Sequence, residues 1–598
     1  MACAHKAAKG RQSRRLSISL AVTAFSLAFA GCQTATLQPK SRATSMVDPG
    51  PSSTTGSYLI ARQAYRVRDL DRAALNFEVA LNDDPENPAL LRRTFLAELE
   101  FGGVPAAITL ARRVEQVGNA TGPFMDLALA LDASKIGNWA KADEHLLRLP
   151  ETKLNQILRP LLSGWVAAGR SDWGAAKAFF SKVKSISGFE VLALLHTAHA
   201  KRLEGDQRDA DLLFKEALKK SGRPPLRLSL AAAIYFASSQ RLDEARRILS
   251  ARSGRDHDAV SIAAVFKHAA AGHSVPGLVG SATDGMSEAL FDIASALQRE
   301  RGNNAAMIMA QLALHMRPAF PLAQLLVGEI LDDRGQHEAA LRIYRGLPTL
   351  SAYHSLAGLR AASSLQGLDR IDESIGLLTE LARSRLTDPT PLIRIGDMQR
   401  ALKRWSAAVE AYDQALERIG ANGSGDWELF YTRGIALERA NNWRRAEADL
   451  LKALELAPDQ PYVMNYLGYS WTEQGINLKR AERMIAKAVK LRPRDGYIID
   501  SLGWVLYRTG RFEEAVTKLE KAVQLRPNDP TINDHLGDAY WRVGRQIEAS
   551  FQWRRALTMK PKTELVSIIQ NKLEQGLPPP TIIKENSNKA GMRRAPDA

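Results

Sequence analysis

An all-α solenoid is the fold this sequence predicts: a superhelix of antiparallel helix pairs, about 14 repeats in two arrays. Three observations carry it. Small residues return at an interval of 34: Leu502-Gly503, Ala515, Ala522 and Pro527 recur as Leu536-Gly537, Ala549, Ala556 and Pro561. Glycine and proline punctuate the same frame at fixed offsets. The composition, 45% apolar and 24% charged over 598 residues, is that of a globular chain with apolar surface to bury.

Residues 1–31 read as an export signal. Lys6, Lys9, Arg11, Arg14 and Arg15, with no acid among them, precede an apolar stretch from Leu16 to Ala30. Beyond residue 31 no apolar run approaches the roughly 18 residues of a spanning helix. Cys3 and Cys32 are the only cysteines, so a disulfide framework is excluded and the body has no thiol ligand or nucleophile. Phe29-Ala30-Gly31-Cys32 resembles the lipobox of bacterial lipoproteins. That resemblance implies a thiol at Cys32 that is acylated, as with palmitate, before becoming the mature N-terminus. An ordinary cleaved signal, or a short anchor that stays attached, is the alternative. Gln33 resembles the sorting residue of lipoproteins delivered to the outer membrane and facing the periplasm, the expected location in a Gram-negative bacterium, with the inner membrane still open. Removal of residues 1–31 takes five positive charges from the formal +16 and leaves +11. Residues 32–53, rich in Ser, Thr, Pro and Gly, read as a flexible tether.

Residues 54–256 form the predicted N-terminal array. Its small residues are Ala61 with Ala73 and Ala80, then Ala107 and Ala142, Gly164 with Ala176, Ala198 with Ala210 and Ala217, and Ala233 with Ala245. Ala245 and Ala306 are 61 positions apart where two units require 68. Residues 257–286 therefore read as a half-repeat and hinge loop, with a helix over Val260–Ala271 and a loop over the glycine-rich Gly272–Gly285. A full repeat with a short second helix is the alternative. Residues 287–562 continue as a C-terminal array, through Ala294 with Ala306 and Ala313, Gly328 with Ala340, Ala362 with Ser374, Gly396 with Ala408, Gly434 with Ala446, and Gly468 with Ala481. Gly420–Gly425 reads as an inserted surface loop. Residues 563–575 should cap the final repeat, and 576–598, with Pro578-Pro579-Pro580, read as an unfolded tail.

The spacing has a steric cause. Where two antiparallel helices approach most closely only a hydrogen or a methyl group fits, and larger groups overpack the contact. Gly335, Gly475, Gly510 and Gly544 fall where the first helix ends in a left-handed residue. Pro458, Pro493, Pro527 and Pro561 stop the second helix, lacking its donor. Phe77, Phe180, Phe214, Tyr344, Tyr412 and Trp553 share one place in that second helix, filling the layer between neighbours. The pattern resembles the tetratricopeptide repeat, a 34-residue helix–turn–helix unit.

Catalytic signatures are missing from the sequence: no phosphate loop, no His-Glu-x-x-His and no Gly-x-Ser-x-Gly. Gly468-Tyr469-Ser470-Trp471-Thr472 approaches the last but lies within a repeat helix. His196 and His199, three apart, could share a metal, yet matching ligands are lacking, and two solvated histidines on a groove wall are expected. His268 and His273 are less specific still. No enzyme, no metal and no cofactor are expected.

The resemblance implies that the first helix of each pair lines a concave groove, its second, fifth, ninth and twelfth places facing a ligand. Those places hold Tyr462, Asn465 and Tyr469, then Tyr497, Asp500, Trp504 and Tyr507, then Asp534, Asp538 and Trp541. Tyr466 and Leu506 are expected to pack internally. Aromatic groups alternating with polar ones suit an extended peptide or a partner helix. The lysine-based carboxylate clamp of chaperone-binding repeats is not carried over, because Asp500 and Asp534 stand in its lysine place. The +11 balance could steer the chain to anionic lipid or an acidic partner, and nucleic acid is not expected. Asn465-Tyr466-Leu467-Gly468-Tyr469, Asp500-Ser501-Leu502-Gly503-Trp504 and Asp534-His535-Leu536-Gly537-Asp538 resemble one set of outer-membrane repeat lipoproteins. These are adaptors that bring a periplasmic carboxyl-terminal processing protease together with cell-wall hydrolases. The resemblance implies a lipid-anchored periplasmic scaffold with protein partners. The alternative is a cell-envelope assembly or polysaccharide-export factor binding a glycan or a secretion subunit.

Overall fold

The computed structural model describes residues 53–118, 121–222, 224, 226–250, 279–348, 353–386, 388–420 and 427–580. The expectations for residues 1–31, Cys32, nearly all of the tether, the helix over Val260–Ala271, the inserted loop from Ala421 on, and the tail from Thr581 on lie outside these residues. The described residues are all-α: fourteen antiparallel helix pairs and one closing helix, with no strand. They belong to two compact units, one ending at Leu381 and the other beginning at Ala382.

In the first unit, α1 (Thr54–Arg66) pairs with α2 (Leu70–Asp83), α3 (Pro88–Phe101) with α4 (Val104–Gln116), and α5 (Pro123–Lys135) with α6 (Trp139–Leu147). The series continues with α7 (Asn155–Gly169) and α8 (Trp173–Lys184), α9 (Glu190–Glu204) and α10 (Gln207–Lys220), and α11 (Leu226–Ser238) and α12 (Leu242–Ser250). Three more pairs complete the unit: α13 (Ala282–Arg299) with α14 (Asn303–Met316), α15 (Pro321–Asp333) with α16 (His337–Arg345), and α17 (His354–Gly367) with α18 (Ile371–Ser384). The second unit holds α19 (Thr390–Ala401) to α28 (Gln546–Thr558) in five pairs and closes on α29 (Thr563–Gln575), which has the predicted bounds.

The steric rule holds at side-chain level. A β-carbon on Gly164 would lie 2.5 Å from the Phe180 ring, on Gly396 2.4 Å from Tyr412, and on Gly537 2.5 Å from Trp553. In each case the glycine of the first helix faces the bulky residue of the second. The alanines of that second helix, Ala73, Ala210, Ala340, Ala446 and Ala515 among them, are completely buried. Where serine replaces alanine, at Ser374, its hydroxyl donates to the Ala362 carbonyl at 2.7 Å, so the added oxygen is satisfied within the close approach.

The turns are left-handed at Gly335, Gly475, Gly510 and Gly544, with φ from 69° to 84°. Elsewhere the same turn carries a side chain, as at Ser171 (φ 60°), Asp369 (φ 59°) and Lys403 (φ 60°). A left-handed residue with a β-carbon costs about 1–2 kcal/mol, part of which glycine would return as unfolded-state entropy. Lys403 is exposed. Lys403→Gly is therefore expected to stabilise the second unit by about 0.5–1 kcal/mol, seen as a higher urea midpoint.

The first unit departs from a simple continuing coil. Helices α13 and α14 fold back over α3, α5, α7 and α9, first helices of the earlier pairs. Gly285 lies against the Trp165 indole of α7, where a β-carbon would come within 2.3 Å. Lys135 of α5 donates to the His315 carbonyl at 2.9 Å, and Gln336 donates to the Arg68 carbonyl. Burial on every face demands this cover. Leu127 to Leu131 of α5 and Leu161 to Ala168 of α7 are all buried, and a helix apolar all round must be enclosed. Two expectations are corrected here. Ala282–Gly285, read as loop, are the first turn of α13. Residues 287–381, read as part of the C-terminal array, belong with the N-terminal helices.

A third correction concerns His196 and His199, read as solvated. They are 1% and 4% exposed, because α13 lies across α9. Trp165 Nε1 donates to His196 Nδ1 at 3.1 Å, and His199 stands edge-on to the Phe214 ring. Burial, with His196 and nearby arginines, pushes the His199 imidazole well down from its ordinary value, so it is neutral. Among the described residues no group of three or more His, Cys, Asp or Glu could hold a metal ion.

Candidate functional site

In the second unit α21 (Trp427–Arg439), α23 (Pro461–Gln474) and α25 (Gly496–Arg508) are the first helices of three successive pairs. Helix α23 starts at Pro461, whose missing donor costs nothing at a helix N-terminus, and stops at the left-handed Gly475. Asp495 starts α25 by accepting from the Tyr497 amide at 3.0 Å. Tyr462, Asn465 and Tyr469 sit at i, i+3 and i+7, a spacing that puts them on one face of α23. Together with Tyr431 and Glu438 of α21 and Tyr497 and Ser501 of α25 they line a cleft of about 170 Å³.

The cleft is aromatic with an acidic edge. Tyr431 meets Tyr466 edge-on with ring centroids 5.9 Å apart. The Tyr466 hydroxyl donates to Glu438 Oε2 at 3.0 Å, and burial followed by the Glu438 charge holds that phenol far above its ordinary titration range. Glu473, also in the wall, accepts from Trp504 Nε1 at 2.6 Å and from Arg508 at 3.1 Å. Asn465 Oδ1 is buried and accepts no hydrogen bond among the described residues.

The ten groove residues read from the sequence fall into three groups. Tyr462, Asn465, Tyr469 and Tyr497 converge on the cleft. Asp500, Trp504 and Tyr507 belong to an internal stack. Trp504 lies over His535 at 4.0 Å and over Tyr507 at 4.9 Å, nearly parallel to both. Asp500 is completely buried and bonds His535 Nδ1 at 3.0 Å. Burial opposes charge on that imidazole, but Asp500, with Asp534 and Asp538 behind it, outweighs burial and raises its pKa.

Asp534, Asp538 and Trp541 form the third group and are covered by the chain's own end. Lys572 of α29 donates to Asp534 at 2.8 Å and to Asp538 at 2.9 Å. Asp538 also accepts from Trp553 Nε1 at 2.9 Å, and Gly576 sits against the Trp541 ring. Asp500, Asp534 and Asp538 thus have intramolecular partners in place of the ligand expected of them. Tyr431 and Lys572 were missed, although the frame contained both: Tyr431 stands 34 before Asn465, and Lys572 stands 34 after Asp538.

Two family models match the second unit, one described as Tetratricopeptide repeat over residues 431–479 and one as TPR repeat over residues 503–544. These segments, which hold α23 and the last six residues of α25, are tetratricopeptide repeats. Among curated proteins no match was found. Solved structures similar to the chain include Cut9–Hcn1, a hetero-tetramer of the APC/C. It is 14% identical, with 88% of this chain and 97% of that one covered and a TM-score of 0.35. YrrB, a repeat protein of the same kind with an unusual peptide-binding site, is 19% identical over 32% of this chain and 97% of its own, at 0.27. MamA MSR-1 is 23% identical over 29% and 96%, at 0.25.

Proposed function

We propose that this chain is a scaffold for protein–protein interaction whose tyrosine-lined cleft holds a segment of a partner. The observation that carries the reading is the cleft itself. Five tyrosines, Tyr431, Tyr462, Tyr466, Tyr469 and Tyr497, gather on the first helices of three successive pairs around a buried acceptor that has no partner among the described residues. Tyrosine gives a large rigid contact surface with a polar tip, the kind of group that dominates binding energy at interfaces. The first helices α3, α5, α7 and α9 of the N-terminal unit do not offer the same open face, because α13 and α14 pack on them.

The lipobox-like Phe29-Ala30-Gly31-Cys32 extends the proposal to a lipid-anchored scaffold facing the periplasm, held in the outer membrane. The three Leu-Gly-containing runs of the last repeats extend it to an adaptor that brings a carboxyl-terminal processing protease to cell-wall hydrolases. A photo-crosslinking residue at Tyr469 is expected to capture one of those proteins in intact cells, while one at the exposed Arg483 of α24 (Leu478–Leu491) captures neither. Equal capture from both positions, or none from Tyr469, counts against the cleft. Tyr469→Ala suits the accompanying pull-down better than Trp504→Ala, which would also break the stack on His535. The anchor has its own test: Cys32→Ser should abolish acylation and move the chain from the membrane to the soluble fraction.

A further inference from the structure

We infer that the tyrosine cleft selects an arginine side chain carried on an extended segment of the partner, with Asn465 Oδ1 receiving a backbone N–H of that segment. The inference rests on the cleft being the partner site, and it adds the chemistry of what enters.

Three features of the wall point the same way. The first is charge. Glu438, Glu473 and Asp495 line the cleft, where Arg439 pairs with Glu438 at 3.3 Å and Arg508 with Glu473 at 3.1 Å. Each carboxylate keeps an oxygen that accepts no hydrogen bond among the described residues. Glu438 uses Oε2 for Tyr466 and Arg439, Glu473 uses Oε1 for Trp504 and Arg508, and Asp495 uses Oδ1 for its helix cap. A carboxylate has about four lone-pair sites, so a cation entering the cleft meets unused acceptors on more than one side.

The second feature is the aromatic surface. A guanidinium is planar, weakly hydrated and attracted to the face of a ring, which favours it over an ammonium in a tyrosine-lined wall. The chain uses this contact on the same helices. Arg492 lies over Tyr462 at 5.9 Å, Arg526 over Tyr497 at 4.9 Å and Arg508 over Trp504 at 6.0 Å. The third feature is the unfilled acceptor. A buried carbonyl oxygen without a donor is destabilising until one is supplied, and the Asn465 oxygen stands among the rings that would hold an extended backbone. An acidic or purely apolar segment would leave the carboxylates facing a like charge or a desolvating surface.

The test uses the full chain and fluorescein-labelled Gly-Ser-Ala-Arg-Ala-Ser-Gly, with lysine, glutamine or glutamate in place of the arginine, read by anisotropy. The arginine peptide is expected to bind about tenfold more tightly than the glutamine peptide, some 1.4 kcal/mol, with lysine between them and glutamate not binding. Added salt should weaken the arginine peptide most. Glu438→Gln with Glu473→Gln should erase the preference for arginine while the circular dichroism and thermal midpoint stay near the parent's. Asn465→Leu should weaken all the peptides alike. Equal binding of the arginine and glutamate peptides, or tighter binding of the latter, overturns the inference. Failure of every peptide while Tyr469 still crosslinks a partner overturns it too, and leaves the scaffold reading standing. Failure of both removes the cleft as the partner site, and this inference with it.

Discussion

Gly328→Val is expected to destabilise the N-terminal unit by about 3 kcal/mol, the upper end of the cost of overpacking a tight contact. In an isolated helix the opposite sign would hold, since glycine in a helix interior is about 1 kcal/mol worse than alanine. Local geometry decides between the two effects. A β-carbon on Gly328 would lie 2.4 Å from the Tyr344 ring, and that ring cannot retreat. It is 2% exposed, and its hydroxyl donates to Asp332 at 3.1 Å. Asp332 is held in turn by Ser364 at 2.9 Å and His337 at 2.9 Å. Gly376, in α18 of the same unit, has no atom within 4 Å of where its β-carbon would stand. Gly376→Ala is thus expected to stabilise by about 1 kcal/mol. The two substitutions should move the urea midpoint in opposite directions, and a rise for both would mean that the small residue is not sterically required. Tyr344→Leu added to Gly328→Val should recover part of the loss, because it removes the ring that blocks the side chain.

The same steric argument explains what could be read from the sequence. Glycine, alanine and Ser374 mark the helix approaches because nothing larger fits, so the period survives even where every other residue varies. The closing helix was legible because an array must end with its last apolar layer covered, and Ile569 of α29 is completely buried. The fold-back of α13 and α14 was not read, because repeat spacing describes only contacts between neighbouring helices. Its signal lay in composition instead. Helices α5 and α7 are apolar on faces that an open groove would leave wet, and the same cover buries His196 and His199. At the site, the repeat resemblance, through the places it assigns to the groove, pointed to Tyr462, Asn465, Tyr469 and Tyr497, which line the cleft. It could not separate them from Asp500 and Asp534, because whether a carboxylate awaits a ligand depends on what the next helix brings to it. His535 and Lys572 supply those partners, and each stands one repeat beyond a residue it satisfies: His535 lies 35 after Asp500 and Lys572 lies 34 after Asp538.

That last pairing carries a second large effect. Lys572, Asp534 and Asp538 are 12%, 6% and 7% exposed at the side chain, so the lysine neutralises two carboxylates that water barely reaches. Lys572→Met keeps the length of the side chain and removes the charge. Breaking a buried ion pair from one side costs about 3–5 kcal/mol, and here two acids lose their cation together. The dependence on pH fixes the mechanism. Burial, and then the neighbouring Asp538 charge, already push the Asp534 carboxyl up to about 6 in the folded chain. A carboxyl whose folded pKa lies above its unfolded value, about 3.9, binds more protons when folded. Its contribution therefore disfavours folding increasingly as pH rises from about 4 to about 6, and that penalty disappears below the unfolded value. Removing Lys572 takes away the charge that holds this pKa down, so the window widens upward. The variant should be least stable above pH 7 and should regain much of the difference from the parent near pH 5, where a proton takes the lysine's place. Urea unfolding of both proteins at pH 5 and pH 7.5 reads this directly. A deficit that is equal at both values would show that Lys572 acts through its packing and not its charge. A deficit that shrinks with acid would show that α29 is held to the last repeat by electrostatics, and that the final groove is closed by the chain's own cation.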